Sequence, residues 1–266
     1  MAGAEAAAGA PAAGAVFLGA AALVFAAGVA ATVAGAASMA AMGAVPMPGG
    51  WLLSLAWLPI CGQDRADVAA AFLGMWAAML AAMMLPSLVP ALWRYRRAIG
   101  GAGAARRELL TLLVGAGYGG VWMAVGMATL SLGMALAELA LRQPGLARGV
   151  PALAGGTMLA ARVLQCSGWK ARHLARCRAA PVRLPPGAGA AWRHGLRLGV
   201  HCACSCAGPT AILFAAGVMD LRVMAVVTAA ITAERLAPAG VPVARAAGAL
   251  AIGTGLLAIA RAAGNV

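Results

Sequence analysis

An all-α, polytopic transmembrane helical bundle is the fold the sequence predicts, on three observations. Apolar residues make up 63% of the chain and charged residues only 10%, where soluble domains average about 45–50% and about 25%. The apolar residues are gathered into seven runs. The basic residues lie between those runs, as loop charges do in membrane proteins. A soluble fold of 266 residues could not hide this much apolar surface, whereas a lipid-facing bundle has an apolar exterior as well as an apolar core.

The runs cover residues 15–41, 68–93, 109–137, 150–164, 198–218, 223–236 and 243–260. A span needs about 20 residues, within about 17–25. The fourth and sixth runs are short, so about seven spans are expected, with a range of five to seven. Residues 1–14 are low-complexity Ala and Gly with Pro11 and one charge, Glu5. They lack the basic stretch of a signal peptide and are read as an uncleaved tail with no structure of its own. Residues 15–266 then form a single transmembrane domain.

Orientation follows the Arg/Lys bias. With the N-terminus inside and seven spans, fifteen basic residues fall inside and five outside, which predicts N-inside, C-outside. The location expected is the bacterial inner membrane, multi-pass. The net charge of +13 is therefore assigned to cytoplasmic loops, and no nucleic-acid partner is expected. The segment 166–197 reads as a cytoplasmic basic loop containing Cys and His. Cys61 falls outside. The other five cysteines fall at or near the cytoplasmic face, where thiols stay reduced and serve as ligands rather than in disulfides.

Three groups of residues can carry chemistry. The first is His201-Cys202-Ala203-Cys204-Ser205-Cys206 at the start of the fifth run. In a helix Cys202 and Cys206 share one face and Cys204 points elsewhere. Thiolates bind Cu(I) and Zn(II); the bland reading is three small apolar residues in a tight Ala-rich helix. The second is Cys166, His173 and Cys177. In one continuing helix their spacing puts all three within about 40° of one stripe; the bland reading is a solvated basic loop. The third is a set of methionines. Met75, Met79, Met83 and Met84 lie in the second run, and Met123, Met127 and Met134 in the third. Thioethers select Cu(I), although a single Met is more often a core filler.

Other chemistries find no footing. There is no Cys-x-x-Cys for thioredoxin-like redox work and no Gly-x4-Gly-Lys-Ser/Thr phosphate loop. No acid–base or nucleophile constellation is recognisable, so no enzyme activity is expected. Glu234 with Arg235 ends the sixth run and reads either as a functional acid or as an ion pair anchoring a helix end. Gly115-x3-Gly119 and Gly195-x3-Gly199 read as helix-packing motifs. Pro86 and Pro209 read as kinks whose freed carbonyls could line a cavity.

Several of these stretches together resemble a bacterial family of predicted metal-binding integral membrane proteins of largely uncharacterised function. The matching residues are Met75-Trp76 through Met83-Met84-Leu85-Pro86-Ser87, Gln165, Lys170 through Leu174, Cys177-Arg178, Gly195 to Cys206, Gly217 to Leu221, Met224 and Glu234-Arg235. This chain departs from the pattern at His173, where the family usually has cysteine. It departs again at Cys202 to Ala207, where the family usually has Cys-x-Gly-Cys-Cys-Trp. The resemblance implies a soft-metal handler with a role in copper supply. The expected metal is Cu(I), with Zn(II) second. The expected ligands are Cys202, Cys206, His173 and Cys177, with Cys204 and Cys166 in reserve and Met79 and Met83 as weak relay sites. The expected function is metal transport or delivery, and the expected partners are the lipid bilayer and a cuproprotein or metallochaperone. A non-metal structural or assembly membrane protein is the alternative.

Overall fold

The computed structural model describes residues 2–54, 57, 64–99, 103–179, 185–217 and 220–237; side chains are described from residue 14 onward, those of residues 40 and 42 excepted. Within that set the chain forms seven helices and one small hairpin. These are α1 (Ala2–Met42), β1 (Ala44–Met47), β2 (Trp51–Ser54), α2 (Arg65–Ala98), α3 (Ala104–Arg142), α4 (Pro144–Cys166), α5 (Gly168–Arg178), α6 (Ala188–Ala216) and α7 (Leu221–Leu236).

Four segments are long and apolar enough to cross a membrane: Gly14–Met39 of α1 and the whole of α2, α3 and α6. The fourth and sixth runs do form helices, α4 and α7, but neither joins that set. α7 has only 16 residues, about 24 Å at 1.5 Å per residue, short of a hydrocarbon core about 30 Å thick. α4 is interrupted by Arg148, Pro151 and Arg162. The run at 243–260 lies outside the described residues.

Three local expectations are corrected. α1 starts at Ala2, so the Ala/Gly-rich beginning continues the first helix instead of standing apart as an unstructured tail. Alanine is the strongest helix former, and an adjacent apolar helix can propagate back into it. The region 166–197 is not an open loop, because α5 and the first turns of α6 occupy most of it. The antiparallel hairpin β1–β2, with Val45 opposite Leu53 and Met47 opposite Trp51, was not expected. It caps one end of the bundle, where Met47 and Leu53 bury against Ala137, Ala140 and Ala147. Trp51 Nε1 donates to the Ala147 carbonyl at 2.8 Å.

Sequence chemistry sets the helix ends. Asp64 caps α2 by accepting from the Ala66 and Asp67 amides at 2.8 Å, while Asp67 accepts from the Asp64 amide at 3.1 Å. This reciprocal box satisfies amides left open by the first turn. At the other end of α2, Arg96 forms a bidentate pair with Glu108 of α3 and lies over the Phe17 ring of α1, closing the α2–α3 turn.

Glycine brings α3 and α6 together. A Cβ on Gly117 would lie 2.7 Å from the Trp192 carbonyl oxygen, and one on Gly199 would lie 2.9 Å from Val121 Cβ. Gly195 meets the Val114 backbone in the same way. Gly195-x3-Gly199 is thus a packing motif, as expected. A Cβ on Gly115 or Gly119 would meet nothing within 4 Å among the described residues; there the α3 contact is made by Gly117. On α2 the residues facing inward are Phe72, Trp76, Met79, Met83 and Ser87, spaced three or four apart. Trp76 lies over Gly126 and donates Nε1 to the Trp122 carbonyl at 2.9 Å. Outside, Leu18, Leu23, Leu112, Leu132 and Val226 are exposed, an apolar exterior suited to lipid rather than water.

Candidate metal centre

α6 is long enough to bring a charged segment and an apolar segment into line. Its 29 residues extend about 43 Å. Arg193, His194 and Arg197 occupy the early turns, and from Leu198 onward the helix carries no charge apart from the titratable His201. Cys202 and Cys206 sit just past that boundary, one turn apart. They are 0% and 2% exposed, and their Sγ atoms are 4.0 Å apart. Cys204, two residues on from Cys202, is only half-buried, on another face as the helical spacing demands.

Four other helices converge on these thiols. From α3, Tyr118 places its hydroxyl 3.0 Å from Cys202 Sγ. From α5, buried Cys177 lies 4.0 Å from Ser205 Oγ, which is itself 3.9 Å from Cys206 Sγ. From α7, buried Arg235 donates to Cys177 Sγ at 3.6 Å and to Ser87 Oγ of α2 at 3.3 Å. Among the described residues no carboxylate lies within ion-pairing distance of Arg235, and its Nε has no hydrogen-bond partner. Burial pushes the Cys177 thiol up, and the Arg235 charge opposes that shift.

Glu234 and Arg235 do not pair with each other. Glu234 Oε2 is 2.7 Å from Lys170 Nζ, with both side chains 3% exposed, and Glu234 Oε1 accepts from Gln165 Nε2 at 3.0 Å. Lys170 also donates to Gln165 Oε1. The chain's one lysine is therefore buried, not part of a solvated loop. This triad ties α4, α5 and α7 together beside the thiols. Each charged group in it has both an ionic and a neutral hydrogen-bonding partner, which is what a buried ion pair requires.

The Cys166–His173–Cys177 stripe does not form. Ser167 ends α4 and caps α5, accepting from the Lys170 amide at 3.2 Å and donating to the Leu164 carbonyl at 2.7 Å. The break leaves Cys166 exposed at the end of α4. His173 and Cys177 stay one turn apart on α5 but turn to different partners. Cys177 faces Ser205, while His173 Nδ1 lies 3.1 Å from His201 Nδ1, with Trp169 against the His173 ring at 4.6 Å. Burial, then Arg176 and Arg172, hold the His173 imidazole below the usual histidine range. Among the described residues no three His, Cys, Asp or Glu side chains converge closely enough to form a metal-holding group. Of the expected thiol ligands, the pair that does meet is Cys202 with Cys206.

The methionines divide. Met79, Met83 and Met84 are buried in the same core as Cys177, Cys202 and Cys206. Met79 and Met83 lie on the α2 stripe that ends at Ser87. Met127 is 45% exposed and faces outward, so the α3 set is not a continuous inward ladder. Met224 is buried, and Met219 lies outside the described residues.

Tyr118, Ser205 and Ser87 are the site residues that sequence reasoning missed as participants, and the pairing of His201 with His173 was not expected. Tyr118 is one of two tyrosines and is flanked by glycines, a signal of close approach by another helix. Nothing local identifies Cys202 as its partner, 84 residues away.

A family model described as "Copper chaperone" matches residues 73–258, about two thirds of the chain. No curated protein and no solved structure matches the chain.

Proposed function

The chain belongs to the PpoB2 copper chaperone family, and we propose that it is a membrane-embedded carrier that takes Cu(I) as cargo and passes it to a copper-requiring protein. The observation that carries the reading is the Cys202–Cys206 pair, 4.0 Å apart in the dry core. With thiolate–metal bonds of about 2.3 Å, that separation corresponds to a sulfur–metal–sulfur angle of about 120°. Such an angle suits a soft ion held by these two thiolates with a further coordination position left open.

Arg235 supports the same reading. A Cu(I) ion held by two thiolates carries one net negative charge, and a buried anion needs a buried cation. The Arg235 guanidinium, which has no carboxylate partner among the described residues and lies beside the thiols, supplies it. Thiolate ligands also favour Cu(I) over hard divalent ions. Zn(II) would leave the dithiolate neutral and Arg235 unbalanced.

In this proposal the protein is multi-pass in the bacterial inner membrane, with the N-terminus inside, α4 carrying the chain back across the bilayer between the parallel helices α3 and α6, and the thiols toward the cytoplasmic side. It carries out no catalysis. Met79 and Met83 serve as weak sites along α2. Orientation is tested with an impermeant thiol reagent on intact cells. Cys166, the exposed cysteine among the described residues, should stay unmodified from outside; its labelling would reverse the orientation.

The metal assignment is tested by titrating the purified protein with Cu(I) against a competing chelator. The wild type should bind tightly, and Cys202→Ser with Cys206→Ser should abolish that site. A second reading, in which the thiols are packing residues, draws on the lack of three convergent ligands among the described residues. Unchanged affinity in the double variant would establish it.

A further inference from the structure

We propose that His173 and His201 form a second metal site, distinct from the thiol pair, at which Cu(I) is held before it enters or after it leaves the buried cysteines. The inference rests on the copper reading above but concerns residues outside the thiol centre.

The geometry is specific. Two helices bring two imidazoles together, ring centroids 5.2 Å apart and planes tilted by 52°, with Nδ1 atoms 3.1 Å apart. With nitrogen–metal bonds of about 2.0–2.1 Å, that separation closes a nitrogen–metal–nitrogen angle of about 100°. A modest opening of the rings widens it. Among the described residues neither histidine is tied to a carboxylate that would fix it as a structural cation. Neither is needed to fill the core, since both are only partly buried. The Trp169 ring against His173 limits the freedom of that imidazole.

Position gives the pair its role. His201 precedes Cys202 in α6, and His173 lies one turn before Cys177 in α5. Each imidazole is therefore on the same helix as a thiol it can pass metal to. The thiols are shut off from solvent, whereas the imidazoles are reachable. Two protein ligands leave coordination positions open, which a donor or acceptor protein can fill during exchange.

Charge selects the ion. Arg172 and Arg176 are exposed on the same short helix, and the nearby acid, Glu234, is committed to Lys170. A cationic rim with no free carboxylate among the described residues disfavours divalent ions more than a monovalent one. Cu(I), or Ag(I) as its surrogate, fits; Mg(II) and Ca(II) do not.

The test uses the full chain in detergent or nanodiscs, titrated with Cu(I) and with Ag(I) against a competing chelator. The Cys202→Ser/Cys206→Ser variant should lose the tight site and keep a weaker one. Adding His173→Gln and His201→Gln should remove the weaker site. His173→Gln/His201→Gln alone should keep the tight site and load it more slowly. As a check that needs no variant, the wild type should show protection of both histidines from an imidazole-acylating reagent once Ag(I) exceeds the thiol site. A cysteine-deficient variant that binds no metal would overturn the proposal. So would one whose residual site ignores the histidine changes, or a wild type whose histidines are never protected. If the cysteine-deficient variant instead keeps the tight site, it is the thiol reading that fails, and the histidine changes still decide the second site.

Discussion

Replacing Gly117 with alanine is expected to separate α3 from α6 and to disturb the thiol centre at a distance. The new Cβ would lie 2.7 Å from the Trp192 carbonyl oxygen, 3.1 Å from the Leu196 nitrogen and 3.3 Å from the Gly195 carbonyl carbon, against the 3.4 Å at which ordinary contact begins. The shortfall at the closest atom is 3.4 − 2.7, so the helices must part by about 0.7 Å. All three atoms are backbone and cannot rotate away. Overpacking of this kind costs about 1–3 kcal/mol. The gain in helix propensity on going from Gly to Ala recovers at most about 1 kcal/mol. Overpacking wins, and a net loss of about 1–2 kcal/mol should lower the melting temperature by roughly 2–8 °C in a chain of this size. Residue 117 adjoins Tyr118, so the Tyr118–Cys202 contact at 3.0 Å lengthens by a similar amount, and Cu(I) affinity should fall with it. The control is Gly115→Ala on the same helix, where the new Cβ would meet nothing within 4 Å among the described residues. That variant should melt at or slightly above the wild-type temperature. Thermal melting in one detergent decides the matter. A Gly117→Ala protein as stable as wild type, or a Gly115→Ala protein equally damaged, would refute the close-packed α3–α6 interface.

Two further outcomes follow from the same geometry. Lys170→Met leaves the Glu234 carboxylate buried without its cation and should cost about 3–5 kcal/mol, while Lys170→Met with Glu234→Leu should be milder than the single change; comparing denaturation of the two variants checks this. Met134→Leu keeps volume on the partly buried part of α3 and should cost less than about 1.5 kcal/mol, with Cu(I) affinity unchanged in a chelator competition.

The bundle was legible because its signals are local. The apolar runs gave every described helix except α5, and the arginine clusters marked the α2–α3 turn. Spacing alone placed Cys202 and Cys206 on one face and Cys204 on another. The span count was less legible, because an apolar run of 14 residues does not reveal whether its helix crosses a membrane or packs beside one that does. α7 is such a helix. Long-range pairing was not legible at all. His173 was expected beside Cys177, yet both are one turn apart on a helix whose two contacts diverge to His201 and Ser205. Glu234 and Arg235 stood as an obvious local pair, but adjacent residues on a helix point about 100° apart. They serve Lys170 and the Cys177–Ser87 side respectively. Ser167 decided the fate of Cys166, because a capping serine between two helical segments breaks a stripe that periodicity alone carries through.

The most direct test of the account is X-ray absorption at the copper edge of the Cu(I)-loaded protein. A shell of sulfur scatterers at about 2.3 Å is expected in the wild type, and its loss in the Cys202→Ser/Cys206→Ser variant. A wild-type spectrum with only nitrogen and oxygen neighbours, or a sulfur shell that survives in the variant, would contradict the assignment of these two cysteines as the copper ligands.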